Sequence, residues 1–449
     1  MKVMKFGGTS VGDPESIRRC AELVEREIQR SGGQPLVVVS AYSKVTDQLL
    51  KAAKQAVQGQ HEPLFGQIAE KHQGIVKALG LEPDVGAALL AELKDLLHGI
   101  RMVREVTPRL CDYVASFGER LSARTFAALL RSRGHADAQA FDAYDLGFLT
   151  DSHFMNARPA PDINKRIAQA CRGHRGRLMV VTGFIGKDSN GDITTIGRSG
   201  SDYTASIFAA ALGAEEVQIW KDVPGVMTAD PSLIPDARPL PRLSFQEASE
   251  LAYYGAEVLH PTTIVPAIEA GRPVRVLNTF DPEAPGTLIL AAGECDPRNP
   301  VKCIAYKEDL ALINVRSERM LGMEGFMARL FQVFEKHRIV IDMISTSEVS
   351  VSMTTEQTDA RRLEALRKDL AELGRVEIQG QKCIVAIVGE GMKHTVGLAA
   401  RTFRAVSGRG VSVQMISQGA SEINITFLID NSEIPQVVAG LHEEFFGKK

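Results

Sequence analysis

Over the first 290 residues, short β-branched runs alternate with helical stretches. Leu36-Val37-Val38-Val39, Leu178-Met179-Val180-Val181, Val217-Gln218-Ile219-Trp220 and Val274-Arg275-Val276-Leu277 are apolar runs with little polar alternation. Such runs read as strands buried on both faces. Their separation by helices predicts a mainly parallel sheet covered on both sides. Residues 63–133 are instead helical in pattern, with apolar residues at helical spacing from Ala87 to Leu97 and from Leu121 to Leu130. They read as a helical layer packed against the sheet or over a cleft. A length of 449 residues accommodates about two to four domains. The Pro/Gly-rich stretches Asp281–Gly286 and Gly293–Pro300 put a boundary near 295.

Composition removes several function classes. A formal net charge of -3 gives no sign of a nucleic-acid or membrane surface. No apolar run approaches the ~20 residues of a membrane span, and no signal peptide is visible at the N-terminus. Cys20, Cys111, Cys171, Cys295, Cys303 and Cys383 are scattered without a Cys-x-x-Cys pair. That pattern fits reduced thiols in a cytoplasm better than a disulfide framework or a zinc site.

The C-terminal part repeats itself. Gly325-x-x-Ala328-Arg329-x-Phe331 recurs 72 positions later as Gly397-x-x-Ala400-Arg401-x-Phe403, and Met343-Ile344-Ser345 recurs as Met415-Ile416-Ser417. Ser347-Glu348-Val349 returns as Ser421-Glu422-Ile423 with two residues inserted. Each copy reads helix, strand, turn, strand: an amphipathic Phe326–His337, a strand at Ile339-Val340-Ile341 and an alternating Val349–Met353. Two small α+β units are expected.

Several loops carry candidate chemistry. Met4-Lys5-Phe6-Gly7-Gly8-Thr9-Ser10-Val11-Gly12 reads as a strand, a glycine turn and then a helix, with Asp13 as N-cap and Pro14 at the first helical position. The glycines either cradle a phosphate beside Lys5 or simply make a tight turn. No Lys-Ser/Thr follows them, so this is not a Walker A loop. In Gly197-Arg198-Ser199-Gly200-Ser201-Asp202, before a helix expected at Thr204–Leu212, Arg198 offers a bidentate clamp for an anion. Asp202 can orient a lysine or reach Mg2+ through water. The alternative is an N-cap beside a surface arginine. Ser40–Asp47 and Trp220–Pro231 each follow a strand, where open α/β sheets bind ligands. Glu119, after Phe117-Gly118, reads as an ordinary residue near a helix start. No Ser/His/Asp, Cys/His or His-Glu-x-x-His arrangement is evident. The set favours phosphoryl transfer, which needs positioning and charge neutralisation more than a nucleophile.

Lys5-Phe-Gly-Gly-Thr-Ser-Val11, Gly197-Arg-Ser-Gly-Ser-Asp202, Val223-Pro-Gly225 with Asp230-Pro231, and Val258-Leu-His-Pro261 resemble the aspartate kinases, in that family's order and spacing. The resemblance runs essentially the whole length. It implies an α/β fold: an amino-acid-kinase αβα sandwich with a mainly parallel central sheet at 1–295, then two α+β ACT (ferredoxin-like) units at 308–380 and 381–449. Strand 301–306 would belong to the second unit. The implied enzyme is monofunctional, with no homoserine dehydrogenase half, and moves the γ-phosphoryl of MgATP onto the side-chain carboxylate of L-aspartate. That is the first step toward lysine, threonine and methionine.

Carried over residue by residue, the resemblance makes Lys5 and Asp202 catalytic. Ser40, Thr46, Glu119, Arg198 and Ser201 form the aspartate pocket, Arg198 for the α-carboxylate and Glu119 for the ammonium. Lys5, Gly7, Gly8, Ser10, Lys221, Asp222, Met227, Asp230, Glu257 and Val258 hold the nucleotide, and no direct protein ligand to the metal is expected. Met227, Ser232 and Glu257 depart from the frequent tyrosine, arginine and lysine, and Ser199 from a frequent glycine. Losing two cations and adding a carboxylate is expected to weaken or reshape ATP binding. The ACT pair implies a homodimer or higher homo-oligomer with an effector, lysine and/or threonine. Its pocket would comprise Met320, Met323, Phe326, Ile341, Asp342, Ser345, Thr346, Ser347 and Glu348. A kinase for another small acid and a catalytically silent amino-acid sensor are the competing readings.

Overall fold

The computed structural model describes residues 1–197, 199–255, 259–293, 300–320, 324–356, 359–419 and 423–447. The chain divides into two compact units. The first comprises Met1–Val226, Pro241–Phe245 and Val258–Ala292, and the second Met227–Leu240, Gln246–Glu257 and Gly293–Lys449. No described helix is long and apolar enough to cross a membrane.

In the first unit, β1 (Val3–Phe6) passes through the glycine turn into α1 (Pro14–Ser31). Asp13 caps that helix, its carboxylate accepting from the N–H groups of Glu15 (2.9 Å) and Ser16 (3.0 Å). Then follow β2 (Leu36–Val39), α2 (Val45–Ala56), α3 (Glu62–Ala78), α4 (Ala87–Val103), α5 (Pro108–Ser132), β3 (Gln139–Phe141), α6 (Ile163–Ala170) and β4 (Met179–Thr182). A hairpin of β5 (Ile185–Lys187) and β6 (Ile193–Thr195) leads to α7 (Gly200–Leu212) and β7 (Val217–Lys221). The unit resumes with β8 (Arg242–Ser244), after which α8 (Phe245–Tyr253) enters the second unit. It closes with α9 (Pro261–Glu269), β9 (Val274–Asn278) and β10 (Thr287–Leu290).

The eight strands run β3-β4-β2-β1-β7-β9-β10-β8. All neighbours are parallel except β9 and β10. The sheet is therefore mainly parallel, as the apolar runs require. β2 pairs with one side of β1 and β7 with the other, so strand order reverses at β1. A ligand cleft forms at such a reversal, outside the carboxyl ends of the strands. The core beside β1 is filled from α1, α2, α4 and α5, with Phe6, Leu49, Leu93, Leu97 and Phe117 fully buried.

Two helix limits differ from expectation. α7 begins at Gly200, so Ser201 and Asp202 sit in its first turn and not in the loop before it. Glu119 lies in the middle of the 25-residue α5, because Thr107 caps the helix and Pro108 starts it well upstream.

In the second unit, β11 (Cys303–Arg316) and β14 (Arg375–Val388) are the two long central strands. Cys303 pairs with Val388 and Ala305 with Ala386 at one end, and Arg316 with Arg375 at the other. The register is irregular between Lys307 and Leu312, near Asp309 and Gln381, both at φ 58°. β12 (Met343–Thr346) and β13 (Ser350–Glu356) extend one half of this ladder, and β16 (Asn424–Asp430) and β15 (Met415–Ser417) the other. Helices α10 (Phe326–His337) and α11 (Ala360–Leu370) pack on the first half, α12 (Leu398–Ser407) and α13 (Ile434–Phe446) on the second. The strand expected at Ile339–Ile341 is absent. Arg338 ends α10 in the left-handed region and Ile339 folds back on Phe334, its N–H donating at 3.0 Å, so the strand starts only at Met343.

Replacing Asp13 by Ala is expected to lower the stability of the first unit by about 1 kcal/mol, the usual worth of an N-cap. Denaturant unfolding followed at Trp220 measures it, and an unchanged midpoint contradicts the capping role.

Candidate functional site

Lys5 emerges near the end of β1, at the sheet reversal, and its side chain is almost fully buried. Its Nζ lies 2.6 Å from Oδ1 of Asp202, on the first turn of α7. The other carboxylate oxygen lies 3.4 Å from Nζ of Lys221, which ends β7. Two lysines from adjacent parallel strands thus share one buried aspartate. Burial pulls the Lys5 ammonium below its ordinary range, and Asp202 offsets only part of that. Burial alone would raise Asp202, but the Lys5 and Lys221 charges outweigh it and hold the carboxyl below its usual value. The cluster carries two cations against one anion, and Asp222 adds a second carboxylate that acts on Lys5.

The remaining first-unit candidates gather beside it. Ser40 follows β2, its N–H donating to the Phe6 carbonyl (3.2 Å) and its carbonyl accepting from Ser122 Oγ (2.6 Å). Thr46 lies on the first turn of α2. Phe184, after β4, donates its N–H to Thr204 Oγ1 on α7 (3.1 Å), which fixes the helix start carrying Ser201. Glu119 projects from α5 with its carboxyl buried. Burial pushes it up to about 8, against the pull of the Ala41 and Glu119 N–H groups and of Lys5. Its Oε2 is buried and has no hydrogen-bond partner among the described residues. A carboxylate in that state awaits a cation.

Two nucleotide assignments change. The Gly7 N–H donates to the Trp220 carbonyl (3.1 Å), which removes it from the set of phosphate donors. The hydroxyl of fully buried Ser10 bonds Thr279 Oγ1 (2.8 Å) and the Trp220 carbonyl (3.3 Å), so it ties the loop to neighbouring strand ends. Arg198, Glu257 and Val258 lie outside the described residues.

Met227 and Asp230 belong to the second unit. There Asp230 accepts from Ser232 N–H (2.8 Å) and Oγ (2.7 Å) through one oxygen and from the Tyr306 hydroxyl (2.7 Å) through the other. Of the effector candidates, Phe326 is 3% exposed and packs in the apolar core with Leu330 and Phe334. Met320 and Ile341 edge the same core, and Ser345, Thr346, Ser347 and Glu348 follow along β12 and its turn. Asp342 is buried and paired with Lys307 at 2.7 Å. Met323 lies outside the described residues.

Sequence reasoning missed three features. Asp112, buried on α5, accepts from Thr195 N–H (2.9 Å), Thr195 Oγ1 (2.6 Å) and Met155 N–H (2.8 Å), anchoring the hairpin that leads to α7. Lys44, Phe184 and Ser199 adopt φ of 65°, 67° and 55° around the site, a strain of about 1–2 kcal/mol each. Ser199 stands in this conformation where glycine is frequent in the resembled family. Gly118 is a contact point: a Cβ there would lie 2.7 Å from Ala41 Cβ.

Two lysines sharing one buried aspartate at the carboxyl edge of a parallel sheet, with a buried carboxyl in the same unit, fit a small-molecule phosphotransferase site. Residues 1–278 match the amino acid kinase family, and residues 313–369 and 385–445 match the ACT domain. The chain is 39% identical over 462 residues to the chloroplastic aspartokinase 1 of Arabidopsis thaliana, covering 99% of this chain and 80% of that protein. The crystal structure of E. coli aspartokinase III in complex with aspartate and ADP (R-state) superposes with a TM-score of 0.83 at 33% identity, covering 99% of this chain and 100% of that one. The same enzyme in complex with lysine and aspartate (T-state) gives 0.82 at 33% identity, covering 99% of each chain. The chain belongs to the amino acid kinase family and, within it, to the aspartokinases.

Gly118→Ala is expected to destabilise the protein by about 1–3 kcal/mol through overpacking against Ala41. Helix propensity alone predicts the opposite sign, by about 1 kcal/mol. A raised thermal midpoint for this variant contradicts the close-approach role.

Proposed function

We propose that the chain catalyses transfer of the γ-phosphoryl group of ATP to the side-chain carboxylate of L-aspartate, under feedback control by an amino acid bound to its ACT units. The observation that carries the catalytic part is the Lys5–Asp202–Lys221 cluster together with the buried carboxyl of Glu119, one oxygen of which has no partner among the described residues. The acceptor carboxylate is already an ionised nucleophile, so no strong base is needed. One of its oxygens attacks the γ-phosphorus, the bond to the β–γ bridging oxygen breaks, and ADP leaves with that electron pair. Both reactants are anionic, and in a dry site their approach requires cations and oriented N–H groups.

Lys5 meets the transferring phosphoryl, while Asp202 holds Lys5 and Lys221 in place. Gly8 supplies a backbone donor. Arg198 takes the aspartate α-carboxylate, Glu119 its ammonium, and Ser40, Thr46 and Ser201 complete the pocket. Mg2+ arriving with ATP supplies charge neutralisation at the phosphates. No direct protein ligand to the ion is proposed, and Asp202 would reach it through water. For regulation, the support is the paired ACT match and the lysine complex of E. coli aspartokinase III. Lysine and/or threonine is the proposed effector, acting on a homodimer or larger homo-oligomer.

Lys5→Ala is expected to lower kcat about 10²–10³-fold, the scale of removing one transition-state donor. ATP-dependent aspartyl hydroxamate formation measures it, and a kcat within about threefold of wild type sinks the assignment. Hydroxamate formation absent from the wild type, with amino-acid binding intact, favours a sensor instead.

Glu119 gives a pH signature. In the empty site its carboxyl is protonated below about 8, whereas the aspartate ammonium requires the carboxylate. KM for aspartate should therefore fall several-fold between pH 7 and 9, and Glu119→Gln should raise KM and abolish that slope. The folded value lies above the unfolded one, so the ligand-free protein loses stability as pH rises from about 4.5 toward 8. Glu119→Gln should then unfold at a higher temperature than wild type at pH 8 without aspartate. A flat KM profile in the wild type refutes the ammonium role.

A further inference from the structure

The buried carboxylate of Asp342 is shared between two parts of the second unit. Its Oδ1 accepts from Lys307 Nζ on β11 at 2.7 Å and from the Tyr253 hydroxyl at 3.0 Å. Lys307 is held on its other side by Glu356 Oε1 at 3.0 Å and lies 5.1 Å from the Tyr253 ring centre. The second oxygen of Asp342 is buried and has no hydrogen-bond partner among the described residues. A buried carboxylate with one oxygen unsatisfied gains by taking a further cationic donor.

Tyr253 is the last residue of α8, and α8 does not belong to either ACT repeat. The chain inserts it between β8 and α9 of the kinase sheet. Within the second unit this helix is fastened along its length. Glu247 Oε1 accepts from the Glu390 N–H (2.8 Å), and Glu250 Oε2 from Asn424 Nδ2 (2.6 Å). At Gly255, φ is +89° and a Cβ would lie 2.5 Å from the Tyr306 carbonyl oxygen, so the turn after α8 rests directly on β11. Tyr253 joins α8 to Asp342, a residue assigned to the effector pocket. Three to five residues further along the chain come Ala256, Glu257 and Val258, two of them in the proposed nucleotide site.

We propose that Tyr253 is the positioning residue through which effector occupancy reaches the catalytic chain: an effector ammonium that takes Asp342 displaces the Tyr253 hydroxyl and frees the end of α8. The inference rests on the reading of Asp342 as an effector residue. Of the donors competing for that carboxylate, the tyrosine hydroxyl is the neutral one and yields to an ammonium. A bond present in the unliganded state and absent from the liganded one opposes effector binding. Its removal must raise effector affinity, and by linkage effector binding must weaken the hold on α8.

The test uses the full chain with L-lysine and L-threonine as separate probes. Calorimetry gives Kd, hydroxamate formation gives inhibition, and hydrogen exchange reports on residues 246–255. Tyr253→Phe should keep kcat and bind the inhibiting amino acid roughly 3–10-fold tighter, the range for losing a partly exposed bond to a charged group. In wild type the effector should speed exchange over 246–255. In Tyr253→Phe the same amides should exchange fast without it and respond little to its addition. Unchanged Kd, inhibition and exchange in Tyr253→Phe, while Asp342→Asn loses effector binding, overturns the role of Tyr253 and leaves the pocket standing. Effector binding unaltered in Asp342→Asn, or absent from the wild type, overturns the pocket reading and the inference with it.

Discussion

The ion pair between Lys5 and Asp202 is the constraint on which the catalytic unit depends. A phosphoryl donor and a carboxylate acceptor repel each other, and only buried cations bring them together in a dry site. A buried lysine is itself unstable as a cation without an anion beside it. The fold meets both demands with strand order. β1 and β7 are parallel neighbours at the sheet reversal, with Lys5 next to the end of β1 and Lys221 at the end of β7, and α7 begins where its first turn delivers one aspartate to both. Asp222 also acts on Lys5, so the two cations and the carboxylates around them form one coupled group.

Glu119 is a second buried group in this unit, and the Lys5 charge acts on it. It stands mid-helix on α5, held close to the Ser40–Thr46 segment because Gly118 removes the side chain that would intervene. An unpaired buried carboxyl makes the empty site less stable, and the aspartate ammonium is the group that would relieve it. The same physics recurs in the second unit at Asp342, where one oxygen accepts from Lys307 and Tyr253 and the other has no partner among the described residues.

Much of this was legible in the sequence, and the exceptions share a cause. Buried parallel strands appear as unbroken apolar runs, so four strands and their order-setting alternation could be read directly. The 72-residue repeat exposed the paired α+β units. Helix limits were less legible: Ser199 starts α7 in a left-handed conformation that no residue preference announces, and the run before Glu119 hides a helix already begun at Pro108. The Gly-Gly-Thr-Ser motif marked the turn after β1, but not that Gly7 and Ser10 are tied to Trp220 by bonds that span more than 200 residues. Phe326 packs in the core of the first repeat, as its first-turn position on an amphipathic helix allows. Nothing local marks Asp112, Gly118 or Tyr253, whose partners come from distant segments.

The most direct measurement of the central claim follows the phosphoryl group itself. Enzyme at substrate level is mixed with MgATP and L-aspartate, then with N-acetyl-L-aspartate, and the reaction is watched by phosphorus NMR. The account predicts an acyl-phosphate resonance that grows in step with ADP from L-aspartate, and none from the analogue, which has no ammonium for Glu119 to receive. ADP formed without an acyl phosphate, or equal transfer to both acceptors, would contradict it.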